Sequence, residues 1–316
     1  MLSSYRNLTQ RDWLWSQSPH PLGRWGNIQV QAPATQPDFL LLYNFHDFPT
    51  ELQPLPLRQR WRRSARAWWR QQQTAAATVR QRLAAVPKER ILFLTREPPF
   101  EEKERERARQ YAQAQAYCGY VSGPDDFAPT PDYMPAIWYC DRSFRELNDM
   151  GPPPKTERCS WITSGITRTA RHRLRMDFLH LLREQQVPFA LYGRGLPADV
   201  NSQGELLNKA NALEPYRYNL AIENYASNDW YVSEKLWDAL LAWCLPIYYG
   251  GDAADRLLPP GSFLRLPSLD AAGAQYIKDV TANGDAWYEA KDAIAEARQI
   301  ILHKLNLLNW LSEFVT

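Results

Sequence analysis

Three segments of this chain carry side chains able to act on a phosphorylated ligand. In Tyr216–Gly251 an apolar run, Tyr218–Ile222, gives way to a polar loop with Glu223, Asn224, Asn228, Asp229 and Tyr231. Ser233, Glu234 and Lys235 then open an amphipathic stretch, and a second apolar run, Leu245–Tyr249, ends on Gly250–Gly251. Strand, polar loop and helix start, followed by strand and glycine turn, is where an α/β sheet holds its ligands. The unpaired N–H groups and partial positive charge of the helix N-terminus suit a phosphate. In Trp161–Leu182 an apolar run ends at Ser164–Gly165, and a basic loop leads into a helix with Arg171, Arg173 and Arg175 in its approach or first turns. Arginine offers a planar fork of donors for bidentate phosphate binding. Arg175 shares a helical face with Phe178, Leu179 and Leu182 and should point inward, with Arg173 about 200° around the helix from it. Taken alone, either arginine could equally be solvated. In Arg90–Phe100 a strand delivers Glu97, fixed by Pro98 and Pro99. A carboxylate at the carboxyl end of a parallel strand points into the ligand crevice.

The elements that must position these groups are short apolar runs alternating with helical periods. Strands are expected at Phe39–Tyr43, Ile91–Thr95, Tyr117–Ser122, Ile137–Cys140, Trp161–Thr163, Phe189–Tyr192, Tyr218–Ile222, Pro246–Tyr249 and Phe263–Leu266. Helical periods are expected at Arg173–Gln185 and Ser233–Cys244, the second with Leu236, Trp237, Leu240, Leu241 and Cys244 on one face and Ser233 as N-cap. This alternation predicts parallel sheets covered by helices. The prolines of Met150–Glu157 make a stiff spacer, which divides the chain into a domain over 1–154 and a second over 155–316. From about residue 286 the second domain should end in closing helices.

Composition narrows the classes. The chain has 316 residues, abundant aromatics and a net charge of +2, which exclude a disordered chain and give no reason to expect a nucleic-acid partner. Cys118, Cys140, Cys159 and Cys244 are scattered without metal-ligand spacing and read as buried, reduced thiols. No apolar run is long enough to span a bilayer and no leader pattern opens the chain, so a soluble, cytoplasmic protein is expected, or one trimmed of its anchor. The arginine- and tryptophan-rich stretch Leu57–Leu83 reads as a solvated helix over an aromatic face, or as an anion-attracting surface allowing only peripheral membrane association.

The order Tyr216–Asn224, Tyr231–Lys235 and Pro246–Gly250 resembles the α-1,3-fucosyltransferases of glycosyltransferase family ten. Leu191–Gly195 and Pro259–Leu266 extend the likeness, which is firm over about residues 158–270. In the N-terminal half, Thr95–Pro99 and Tyr133–Tyr139 look like shortened counterparts of the family's acceptor-domain motifs. The resemblance implies an α/β fold of the GT-B type, with two Rossmann-like domains whose parallel sheets face a central cleft. The N-terminal domain would bind the acceptor and the C-terminal one GDP-fucose. It also implies an inverting transfer of L-fucose to a hydroxyl, O3 by expectation, of a GlcNAc-containing acceptor such as N-acetyllactosamine. Glu97 would be the general base, and Arg173 or Arg175 (Arg175 preferred), Asn224, Tyr231, Glu234 and Lys235 would bind the donor. Lys235 would meet the diphosphate, Asn224 the fucose or a phosphate, and Glu234 the ribose or sugar hydroxyls. Glu234 could instead only complement the helix dipole, and Tyr231 could be core. No metal site and no cofactor beyond GDP-fucose as co-substrate are expected, though a divalent ion could stimulate. Two departures stand out: the Asn224–Tyr231 loop is one residue longer than the family pattern, and Ser233 replaces the usual threonine. Another nucleotide sugar on the same fold, or a catalytically silent glycan-binding relative, are the alternatives.

Overall fold

The computed structural model describes residues 1–4, 12–31, 34, 36–49, 74 and 76–316. Most of the basic stretch Leu57–Leu83, its residues 57–73 and 75, lies outside the described residues. The chain divides into two compact units, one formed by residues 1–11, 31–97 and 103–132, the other by 12–30, 98–102 and 133–316. Met150–Glu157 lies inside the second unit's long run, where the preceding helix already adds Phe144 and Leu147 to that unit's core.

The first unit is built on four parallel strands in the order β1 (Leu40–Tyr43), β2 (Ile91–Leu94), β3 (Tyr120–Gly123) and β4 (Thr130–Pro131). All residues of β1 and β2 are buried, as expected of strands covered on both faces. The helix α1 (Glu104–Tyr117) reaches the residue at which the sequence pattern placed the start of β3. Its inward residues Tyr111 and Ala114 pack with Leu42, Ile91 and Phe93 in one core.

The second unit carries five parallel strands: β5 (Glu157–Ile162), β6 (Ala190–Tyr192), β7 (Tyr216–Ile222), β8 (Leu245–Tyr249) and β9 (Leu264–Arg265). Their spatial order is β9-β8-β7-β5-β6. The second strand in the chain thus lies outside the first, and the third lies on the first strand's other side. That doubly wound arrangement has its switch point between β5 and β7, where the crevice at the strands' carboxyl ends receives ligands. Two helices flank it. α2 (Ala170–Glu184) is capped by Thr169, which accepts from the His172 N–H, and buries Met176, Phe178, Leu179 and Leu182. α3 (Glu234–Leu241) is capped by Ser233 and buries Leu236, Trp237, Leu240 and Leu241, the face predicted from its spacing. The closing helices are present: Asp285–Glu289, Lys291–Gln299 and Leu307–Phe314, with a π-helical turn at Ile300–Lys304.

One expected strand is absent. Ile137–Cys140 is apolar and mostly buried, but its backbone joins no sheet. Side chains satisfy it instead: the Tyr139 N–H donates to Asp238 Oδ1 at 2.7 Å and the Trp138 N–H to Gln17 Oε1 at 3.4 Å. Buried backbone polar groups need partners, and here they come from side chains rather than a neighbouring strand. Both units are built on parallel sheets flanked by helices, as the α/β class requires. All four cysteines are free and buried, and among the described residues no helix is long and apolar enough to cross a membrane.

Candidate functional site

The switch point of the second unit holds a cavity of about 250 Å³. Ile162, Thr163 and Ser164 line it from the end of β5, Asn219, Leu220 and Asn224 from β7 and its following loop. Arg175 enters from α2, and Glu234, Lys235 and Asp238 from α3.

Two backbone contacts shape the β5 side. Gly193, after β6, has φ of 146° and lies so close to Thr163 that a Cβ would sit 1.5 Å from the Thr163 carbonyl oxygen. Gly165 likewise sits against the Gly195 carbonyl, where a Cβ would come within 1.7 Å. Hydrogen bonds from Thr163 N to Tyr192 O and from Gly165 N to Arg194 O, both 2.9 Å, bind the two loops together. Only glycine allows that approach and that φ.

Arg175 is 3% exposed. Its Nη2 donates to Ser164 O at 2.9 Å and its Nη1 to Asn224 Oδ1, while its buried Nε has no hydrogen-bond partner among the described residues. Its hydrogen bonds therefore go to a backbone carbonyl and a side-chain amide rather than to a carboxylate. Burial presses its pKa down, but a guanidinium stays protonated in proteins. The result is a desolvated cation on the cavity wall that makes no ion pair among the described residues, with Glu223 acting on it only from beyond contact distance.

Lys235 is set differently. Its Nζ donates to Glu223 Oε2 and to Ser233 Oγ, both at 3.0 Å, and lies 4.0 Å from Glu234 Oε1. Burial acts to lower its pKa, yet Glu223 and Glu234 hold the ammonium above its ordinary value. Across the same cavity lining, Lys209 donates to Asp238 Oδ2 at 2.7 Å. Its ammonium is also held high: burial opposes, and Asp238 and Glu234 outweigh it.

Arg175, Asn224, Glu234 and Lys235 are thus brought together. Arg173 is not a lining residue; it is exposed, and its Nη1 donates to Thr167 O at 3.2 Å. Tyr231 is 4% exposed, set edge-to-face on Tyr225 with ring centroids 6.3 Å apart, and its N–H donates to Asn228 Oδ1. Glu97 belongs to the first unit, three residues beyond the end of β2, and is half-buried. Arg107 clamps this strand end, donating to Thr95 Oγ1 at 2.5 Å and to Glu97 O at 2.6 Å. His46 lies near it; burial lowers the imidazole's pKa, against the pull of the Glu97 carboxylate.

Sequence reasoning left out Lys209 and Asp238. Asp238 follows Glu234 by one helical turn, a spacing that puts both on one face and could have marked it. Lys209 gives no such signal, because its partner lies 29 residues away.

The second unit is thus a doubly wound parallel sheet whose switch-point cavity sets Arg175, Lys209 and Lys235 beside Glu234 and Asp238. Residues 152–290 match the model of glycosyltransferase family 10 (fucosyltransferase), C-terminal part. The chain is 30% identical over 125 residues to alpha-(1,3)-fucosyltransferase 4 of Homo sapiens, covering 39% of this chain and 23% of the human protein. It is 41% identical over 75 residues to alpha-(1,3)-fucosyltransferase C of Drosophila melanogaster, covering 23% of this chain and 17% of the fly protein. The matches thus span less than a quarter of either relative. Among solved structures, an alpha1,3-fucosyltransferase with GDP-fucose aligns at 25% identity and a TM-score of 0.36, over 47% of this chain and 42% of that one.

Proposed function

We propose that the protein is an inverting fucosyltransferase. It would move L-fucose from GDP-β-L-fucose to a hydroxyl, O3 in our reading, of a GlcNAc-containing acceptor such as N-acetyllactosamine. The observation that carries this reading is Arg175, a buried cation with no carboxylate in ion-pair contact among the described residues, in a cavity shared with Asn224, Glu234 and Lys235. A desolvated charge of this kind is costly until an anion pairs with it. The family's C-terminal domain over residues 152–290 supports GDP-fucose as the source of that anion.

In the reaction the acceptor oxygen attacks fucose C1 as the bond from C1 to the phosphate oxygen breaks. The electron pair of that bond leaves with GDP, and the acceptor proton passes to Glu97 as general base. Arg175, or Arg173 in its place, and Lys235 would stabilise the charge developing on the diphosphate, so the reaction as proposed requires no cofactor. Glu234 would accept from ribose or sugar hydroxyls, Asn224 would meet the fucose or a phosphate, and Tyr231 would contact the donor.

The test has two stages. Thermal unfolding with GDP, UDP and ADP asks which nucleotide raises the melting point, because a ligand that binds only the native state stabilises it. Incubation with GDP-fucose and a panel of N-acetyllactosamine and lacto-N-biose acceptors follows, with the linkage read by NMR. Stabilisation by UDP or ADP but not GDP would overturn the donor, and a linkage other than α-1,3 would overturn the regiochemistry.

A further inference from the structure

Glu223 is the residue that β7 delivers just before Asn224, and its side chain is fully buried. Both carboxylate oxygens are engaged. Oε1 accepts from the Ser233 N–H at 2.8 Å; Oε2 accepts from Ser233 Oγ at 2.7 Å and from Lys235 Nζ at 3.0 Å. Its own N–H donates to Tyr249 O at 2.8 Å, which fixes the strand end from which the carboxylate projects. Ser233 completes a triangle, since its hydroxyl donates to Glu223 and accepts from Lys235 Nζ at 3.0 Å. An ammonium has three N–H donors. Two of those on Lys235 are tied back to Glu223 and Ser233, and among the described residues no hydrogen bond takes the third. Lys235 lines the cavity at 22% exposure.

A neutral amide could cap Ser233 without the cost of burying a charge. A buried carboxylate is explained by what it does for a second buried charge. We propose that Glu223 is a positioning residue of the donor site: through Ser233 it fixes the Lys235 ammonium so that its remaining donor meets the diphosphate. This rests on the donor reading above.

The test uses Glu223→Gln, with GDP and guanosine as probes in calorimetry across pH. Guanosine carries no phosphate, so it reports whether the cavity itself survives. The charged groups facing Lys235 are Glu223, Glu234, Arg175 and Lys209, with Tyr231 acting on Arg175 and Tyr248 lying near Glu223. Removing Glu223 leaves burial and two cations against Glu234 alone. The pKa of Lys235 should fall, and with it GDP affinity as pH rises through that lower value. We expect GDP to bind the variant about 10–100-fold more weakly. The loss should deepen between neutral and alkaline pH, where the wild type stays flat, and guanosine binding should not change. A Lys235→Met background adds a second check: there, Glu223→Gln should change GDP affinity no further. Should Glu223→Gln not fold, Ser233→Ala should show the same pH-dependent loss in smaller measure.

Equal loss of GDP and guanosine, an unaltered pH profile, or additive effects in the Lys235→Met background would overturn the proposal. If the wild type bound no nucleoside diphosphate, the donor reading would fail and this inference with it. Wild-type binding with an indifferent Glu223→Gln would sink only the inference.

Discussion

Arg175→Met should separate ligand binding from folding. Methionine keeps most of the side-chain length and fills irregular space, so the replacement removes charge rather than volume. In the ligand-free protein two effects oppose each other. Losing a guanidinium that is 3% exposed and, among the described residues, in no ion pair with a carboxylate relieves a desolvation cost of several kcal/mol. Against this, Ser164 O and Asn224 Oδ1 lose their charged donor, at about 1.5–3 kcal/mol each. Ser164 and Asn224 are only half-buried, so water can replace part of that loss. The sum should lie within about 1 kcal/mol of zero, a shift of about 2–4 °C in melting temperature for a unit of this size. With a diphosphate bound the balance differs, because one or two charge-assisted bonds vanish with nothing to replace them. That is about 2–4 kcal/mol, or roughly 30–1,000-fold in Kd. Calorimetric titration with GDP, paired with thermal unfolding of ligand-free protein, reads both quantities. A folded variant binding GDP within about threefold of wild type would refute the phosphate role, since one lost charged hydrogen bond alone exceeds that factor. Collapse of the ligand-free variant would show instead that Arg175 is structural.

Other substitutions test the remaining parts. Glu97→Gln should lower fucose transfer by about 10²–10⁴-fold while GDP affinity is unchanged, and a normal turnover rate would remove Glu97 as the base. Lys209→Met should cost about 2 kcal/mol in urea unfolding, because it leaves the buried Asp238 carboxylate uncompensated. Adding Asp238→Asn should recover most of that loss, and no recovery would mean the pair is not what holds the two segments. Gly193→Ala forces a side chain to within 1.5 Å of the Thr163 carbonyl at a φ of 146°. It should lower stability by about 2–4 kcal/mol and weaken GDP binding through the displaced Thr163–Ser164 wall, and a native-like melting point would contradict the close approach.

Much of the site was legible because its signals are local. Ser233 before Glu234–Lys235 announces a helix start, and the cap is formed as read. The phase of Arg175 relative to Phe178, Leu179 and Leu182 predicted an inward side chain, and the exposure of Arg173 follows from the same helical geometry. Ile137–Cys140 shows where local signals fail. Burial explains why the run is apolar, but a strand also needs a neighbour, and here Asp238 and Gln17 accept from its backbone instead. The Thr163–Gly165 and Gly193–Gly195 contact was hidden for a related reason: each glycine is needed only because the other loop is there.

By itself the sequence determined most of the elements, the α/β class and the chemical character of the groups at the ends of β5 and β7. Hydrophobic period and capping act over one or two turns of chain, so they can be read from a single strand of text. Tertiary structure alone decided how the charges are shared out. Glu223 takes Lys235, Asp238 takes Lys209 across 29 positions, and Arg175 is left with an amide and a carbonyl. Those assignments depend on distance and desolvation at the switch point, which exist only once the strand order β9-β8-β7-β5-β6 has formed.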